Sequence, residues 1–392
     1  MERRPRRPGG ACPEASTDGN TETTVTLGTL CKYAAAMAVK LDRVGNWTDF
    51  VLGERGRPDI AISAETLPHK AARLMKHMRR RGAAVPMRTA PWDNDRLRRA
   101  AQRGSHKSAE DEIDFVCQEL LEFCDQGFWT VLPLSLALQL SPLGVVPQCN
   151  RRPRLIVNYT FSSVNEDTVR VAPLDAMQFG KTLQRLLSRI AHANPTYGPV
   201  WLGKIDIADG LYRISLQPRD IPRLGVILPS TTDDPLVALP FALPMGWVES
   251  PPYFTTATET ASDLLNDILH TQTPLPPHPL KSLAATPPTE PVNSSPGLAS
   301  KGVPVEGSTR RPPLVYGNVY VDDFILAAQT QRIHRRVLRA ALHSIKPFAL
   351  SPRTIDQVAK NQCRSKSCAK GTHAGRGRKV YSAGDLTRAP KL

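Results

Sequence analysis

Asp322 and Asp323 stand side by side in "LVYGNVYVDDFILAA", Leu314 to Ala328, an apolar run rich in residues that favour strands. Burying one carboxylate in apolar surroundings costs several kcal/mol, and burying two neighbours costs more. A chain tolerates such a pair at a turn that keeps it in water, or where a cation neutralises it. The pattern predicts a hairpin with its tight turn at Val321–Asp323 and apolar strands on each side. One or two divalent cations held by oxygen ligands would answer the charge problem. A third carboxylate from another strand would complete the site, and Asp206, in "VWLGKIDIADGLYRI", is the best candidate. Asp209, three residues on, points to the opposite face of an extended chain, or caps the helical turn that follows. Two magnesium ions about 3.5–4 Å apart, held by Asp206, Asp322 and Asp323, could activate a 3′-hydroxyl and stabilise a leaving pyrophosphate. That chemistry is nucleotidyl transfer, with Mn2+ as the alternative ion. The competing reading is two surface turns that happen to be acidic.

Strands must position these carboxylates, and helices must cover the strands. "PVWLGKIDI" (Pro199–Ile207) reads as a strand, "RLIVNY" (Arg154–Tyr159) as another, and "RLGVILP" with "PLVALPFALP" as a strand pair. A helix is predicted over Asp175–Ala193, with Met177, Leu183, Leu186, Leu187 and Ile190 on one side. Others are predicted near Leu30–Leu41, over Ser250–His270 and over Ile333–Ile345. One more begins at Ser108, where "SAED" can cap the first turn, and Ile113, Val116, Leu120, Leu121 and Phe123 recur at helical spacing. The 43 residues Thr271–Pro313 hold eleven prolines and read as a linker or surface insertion. The expected class is α+β, with strands and helices mixed around one sheet.

The chain of 392 residues has room for two or three domains, and its net charge of +15 points to a polyanionic partner, nucleic acid or an anionic membrane surface. Within a basic N-terminal region, 26–107, the stretch Lys70–Lys107 carries twelve Lys and Arg against two Asp. It reads either as a solvated helix face or as a nucleic-acid contact. Seven scattered cysteines suggest no disulfide framework and a reducing, intracellular compartment. No apolar core follows the N-terminal "MERRPRRPGG", so no secretory signal is visible. Gln126–Asn150 has no formal charge, but Pro133, Pro142 and Pro147 interrupt it, and it reads as buried strands rather than a membrane span. Residues 1–25 and the basic tail 351–392 read as disordered. In that tail Cys363, Cys368 and His373 lack the fourth ligand a zinc knuckle needs.

Four segments in order resemble a reverse transcriptase, the RNA-directed DNA polymerase of retroelement polyproteins. Tyr320-Val321-Asp322-Asp323 matches the family's Y-x-D-D motif, and "KIDIADGLYRI" resembles the segment that supplies the first catalytic aspartate. "LPMGWVESPPYF" (Leu243–Phe254) is similar to L-P-x-G-x-x-x-S-P, and "RPRLIVNYTFSSVN" (Arg152–Asn165) to a fingers segment. The resemblance covers roughly residues 125–345. It implies right-hand polymerase fingers and palm over 108–350, with a mixed, largely antiparallel palm sheet flanked by helices. It implies RNA or DNA template-primer and dNTPs as partners, and no membrane. Asp206, Asp322 and Asp323 would bind the two metals. Arg154 would touch the phosphates of the incoming nucleotide. Met245 would lie along its sugar, Gly246 would allow close backbone approach, Ser250 would start the helix beneath the template, and Tyr320 would pack near the primer end.

Three departures stand out. Asn158 occupies a position usually held by aspartate. Leu211 stands where the family places an aromatic residue that excludes the ribose 2′-hydroxyl, with Tyr212 next to it as the alternative after a one-residue shift. The resemblance stops after the palm, so the expectation is a chain truncated before a thumb, with Lys346 as a weak match to a palm lysine that protonates pyrophosphate. The second reading is therefore a catalytically dead, truncated retroelement remnant that binds nucleic acid.

Overall fold

Runs of Val, Ile and Leu at strand spacing, and apolar residues recurring at helical spacing, become the elements of a computed structural model. It describes residues 26–56, 67–149, 151–172, 177–207, 209–229, 235–271, 274–278 and 311–345. The termini 1–25 and 351–392 lie outside the described residues, and so do Lys346, the Cys363, Cys368 and His373 group, and most of the Pro-rich segment.

Six helices come first: α1 (Leu27–Val44), α2 (Trp47–Arg55), α3 (Ala72–Arg81), α4 (Asn94–Arg103), α5 (Lys107–Asp111) and α6 (Ile113–Asp125). Then follow β1 (Trp129–Pro133), β2 (Leu140–Gln148), β3 (Arg151–Val157), α7 (Val164–Asp167), α8 (Thr182–Ala191) and β4 (Val200–Asp206). The remainder is β5 (Gly225–Ile227), β6 (Leu236–Pro240), α9 (Ser250–Thr271), β7 (Val315–Tyr320), β8 (Asp323–Gln329) and α10 (Gln331–Ile345). Local chemistry sets several of these ends. Gly45, at φ 69°, closes α1 by donating its N–H to the Leu41 carbonyl, and the Asn46 side chain then caps α2 by accepting from the Asp49 N–H.

The class is α+β, but the strands form two sheets rather than one. The larger has the order β1-β6-β5-β2-β3 and is mixed, because β2 runs parallel to β5 while its other pairs are antiparallel. The smaller, β4-β8-β7, is wholly antiparallel. The expected mixed sheet is therefore not the one that carries the aspartates. β8 takes β4 and β7 as its two neighbours, so it pairs with no strand of the large sheet.

The main core joins Val131, Leu140, Val226 and Val237 of the large sheet to Leu30, Phe50, Met75 and Val116 of the N-terminal helices. Each such side chain contributes about 1.5–3 kcal/mol on full burial. The same core thus draws on both sides of the 107/108 boundary. α3 is an amphipathic helix that buries Met75 and Met78 and turns Arg73, Arg80 and Arg81 outward. A second cluster, Leu265, Leu269, Leu326, Val337 and Ala341, holds α9 and α10 against one face of the small sheet. A third, Leu186, Val200 and Ala327, holds α8 against the other face.

Two predicted helices differ in detail. The helix expected from Asp175 starts at Thr182 after a 3-10 turn at Phe179–Lys181, and Leu183 and Leu187 are exposed because α8 meets the small sheet through Leu186. The helix expected to be capped by Ser108 starts at Lys107, and the Ser108 hydroxyl instead accepts from the Val145 N–H of β2. Gln126–Asn150 forms β1, a short 3-10 turn and β2 as far as Cys149, and among the described residues no helix is long and apolar enough to cross a membrane.

Candidate metal centre

Alternation along β4 sends Leu202, Lys204 and Asp206 to one face and Gly203 and Ile205 to the other. Gly203 has a spatial reason. A Cβ there would stand 2.7 Å from Nε2 of His334, which α10 presses against the strand. The register of the sheet then places Asp206 directly across from Asp323, and Asp323 across from Tyr320. The hairpin turn is tighter than expected: Val321 and Asp322 alone form it, and Asp323 is already the first residue of β8. Val321 sits at φ 59°, in the left-handed region that a β-branched residue rarely adopts. Such a conformation costs about 1–3 kcal/mol.

One oxygen from each of Asp206, Asp322 and Asp323 lies within 4.8 Å of the other two. Asp206 is exposed, and the other two are half-buried. Partial burial, then the charges of Asp323 and Asp322, push the Asp206 carboxyl above its ordinary range. Lys204 answers part of this charge, with Nζ 2.8 Å from Oδ1 of Asp323. That bond, reinforced by the three carboxylate charges, holds the ammonium above its ordinary range. One ammonium against three carboxylates leaves the cluster negative. An all-oxygen donor set with surplus negative charge fits a hard divalent cation such as magnesium.

Beside β3 lies the turn that the L-P-x-G pattern predicts. Gly246 is at φ 101°, and a Cβ would stand 2.3 Å from the Val157 carbonyl oxygen, so only glycine fits. Asn165 clamps this turn from both sides. Its Nδ2 donates to the Gly246 carbonyl at 3.0 Å, and its Oδ1 accepts from the Val248 N–H at 2.9 Å. Ser250, buried at the start of α9, donates its hydroxyl to the Pro244 carbonyl at 2.7 Å. Met245 at the turn is left exposed. Farther along α9, Phe254 touches the loop after Asp206: a Cβ on Gly210 would stand 2.6 Å from its Cζ. Phe254 thereby ties the glycine turn's helix to the strand that carries Asp206.

The remaining expected residues divide. Tyr320 is half exposed next to the aspartates, its ring edge-on to Phe179 at 5.8 Å. Tyr212 packs its ring against Phe123 and Phe128 at 5.0 and 5.2 Å, and burial pushes its hydroxyl well up. Tyr212 and Leu211 are both partly buried against the main core, Leu211 within the 3-10 turn Gly210–Arg213. Asp209 adopts φ 55° and lies 3.6 Å from Arg213, without the side-chain cap expected of it. Arg154 is exposed on β3 opposite Val146 and has no ion-pair partner among the described residues. Among the described residues no hydrogen bond or ion pair joins Arg154 to the aspartates. Asn158 caps its own loop, accepting from the Phe161 N–H at 2.9 Å, which gives the amide a structural task where the pattern has an acid.

Sequence reasoning missed Lys204 and the clamp made by Asn165. Lys204 was legible: two residues before Asp206 on a strand is the same face. Asn165 was visible as the end of a motif, but its partners lie about eighty residues downstream, beyond any local pattern. Comparison with models of protein families finds no match, and no curated protein matches the chain.

Proposed function

We propose that this chain is an RNA-directed DNA polymerase of the reverse-transcriptase type, from a mobile element, adding dNTPs to a primer 3′-hydroxyl. The observation that carries this reading is the convergence of Asp206, Asp322 and Asp323 within 4.8 Å at the end of an antiparallel sheet. On this reading the small sheet with α9 and α10 is the palm, and the large sheet with the β2–β3 hairpin belongs to the fingers. Magnesium held by the three carboxylates would supply the Lewis acidity that activates the hydroxyl and neutralises the leaving pyrophosphate. The chain's own groups do the rest. Tyr320 offers an exposed ring beside the carboxylates for the primer end. The Gly246 turn gives backbone that a nucleotide can approach closely, with Met245 exposed at its tip. Leu211 is smaller than the aromatic residue the family uses, so selection against ribonucleotides is expected to be weak. Arg154 is an unpaired cation available to a triphosphate.

Primer extension on an RNA template with magnesium tests the reading. Synthesis by the wild type and none by Asp322→Asn is expected, and equal incorporation by both would sink the assigned role. The net charge of +15 supports a second reading, nucleic-acid binding without synthesis. Salt-dependent retention of RNA or DNA with no metal-dependent extension would favour it.

A further inference from the structure

α10 carries Arg332, Arg335, Arg336 and Arg339, spaced three, four and seven residues from the first. At 3.6 residues per turn these fall within an arc of about 100°. His334, Val337, Ala340, Ala341 and Ser344 point the other way and are buried. The helix contains no acidic residue. None of the four arginines has an ion-pair, hydrogen-bond or aromatic partner among the described residues, and three of them are exposed. α4 also carries four arginines but engages three of them: Arg98 pairs with Asp95 at 3.1 Å, Arg96 stacks over Trp92 at 4.0 Å and Arg103 over Phe161 at 5.4 Å. Like charges one turn apart repel, and α10 holds that repulsion with nothing to offset it.

The stripe also has a definite place. His334 touches Gly203 from the face of β4 opposite to Lys204 and Asp206. α10 therefore covers the back of the small sheet, and its arginines point away from the three aspartates. Seven residues of helix rise about 10 Å, a length over which four guanidinium groups can follow a phosphate backbone. Guanidinium groups match phosphate geometry through paired N–H donors. An anionic membrane is the poorer fit, because an interfacial helix inserts its apolar face, and α10 spends that face on Leu265, Leu269 and Leu326.

We propose that this stripe is a second nucleic-acid contact, holding the phosphate backbone of single-stranded RNA or DNA on the side of the sheet away from the aspartates. It does not rest on the polymerase reading, since the arginines share no group with the carboxylates.

The test is fluorescence anisotropy of the full chain with labelled single-stranded RNA and DNA in EDTA, over a range of salt. The variant R332Q/R335Q/R336Q/R339Q keeps a good helix former at each position. It is expected to bind about a hundredfold more weakly near 0.1 M salt and to flatten the log–log salt slope by about 2–3, at about 0.7 for each phosphate no longer neutralised. The corresponding quadruple lysine variant should keep most of the affinity, which separates charge from a folding defect. Unchanged affinity and slope in the glutamine variant would overturn the proposal. So would equal weakening in both variants, or a loss seen only with phosphatidylserine vesicles or an acidic peptide. EDTA keeps the metal centre out of the measurement, so failure of the polymerase reading would leave this result as it stands.

Discussion

Gly246 sits at φ 101° with the Val157 carbonyl oxygen 2.3 Å from where a Cβ would stand, whereas Val321 sits at φ 59° and keeps a β-branched side chain. Both turns leave the region that L-residues prefer, for different reasons. At Gly246 the constraint is space: β3 passes so close that no side chain fits, and Asn165 bonds the turn on both sides. At Val321 the constraint is length: a two-residue turn puts Asp323 opposite both Tyr320 and Asp206. One residue more would move Asp323 to the other face. The first turn is held by its surroundings. The second accepts backbone strain, a pattern found where function sets the geometry.

The largest effect should come from removing a carboxylate at the strained turn. Asp322→Asn should lower primer extension at least a thousandfold, about 4 kcal/mol in barrier. Its melting temperature should not fall, because the substitution relieves repulsion. A melting temperature that falls sharply would mean that the turn is held by its carboxylates rather than strained for them. Gly246→Ala should do the reverse and act on folding first. A loss of about 3 kcal/mol or more in urea unfolding is expected from the clash and the left-handed φ together. A loss under about 1 kcal/mol would show that β3 can move, and the contrast between the turns would fail.

pH separates the two regions further. Behind the Gly246 turn, α9 buries Glu259, which accepts from the Gln178 N–H, and burial raises its carboxyl from an ordinary 4.5 to about 7. A raised folded value favours the protonated form, so this group's contribution to stability is present below about 4.5 and is lost as pH rises through about 7. Glu259→Gln should therefore gain about 1–2 kcal/mol on the wild type between pH 5 and pH 8, read by urea midpoints. At the aspartates the sign concerns cations instead. The raised Asp206 carboxyl must ionise to ligate, so divalent binding should weaken as pH falls through its titration. The smallest effect belongs to Val321→Gly. Relief of strain should nearly offset lost packing and added chain entropy, for a net change within about 1 kcal/mol. A loss above about 2 kcal/mol would show that Val321 is unstrained.

Much of the site was readable before the fold. The paired aspartates in an apolar run demanded a turn, and the turn is there. Asp206 was named from its own strand, and the register places it opposite Asp323. The division into two sheets was not readable, because nothing local to an apolar strand names the strand it will pair with. Tyr212 shows the same limit. Its place next to Leu211 in a turn does not announce that its ring packs against Phe123 and Phe128.

The sequence by itself determined what depends on neighbours along the chain: the hairpin and the alternation that puts Lys204 on the Asp206 face. Those follow from backbone sterics and a two-residue period. Tertiary structure alone decided which strand β8 would take as its second partner, and hence that three carboxylates meet. That pairing rests on the burial summed over three separate apolar clusters, and no local stretch of residues contains that sum.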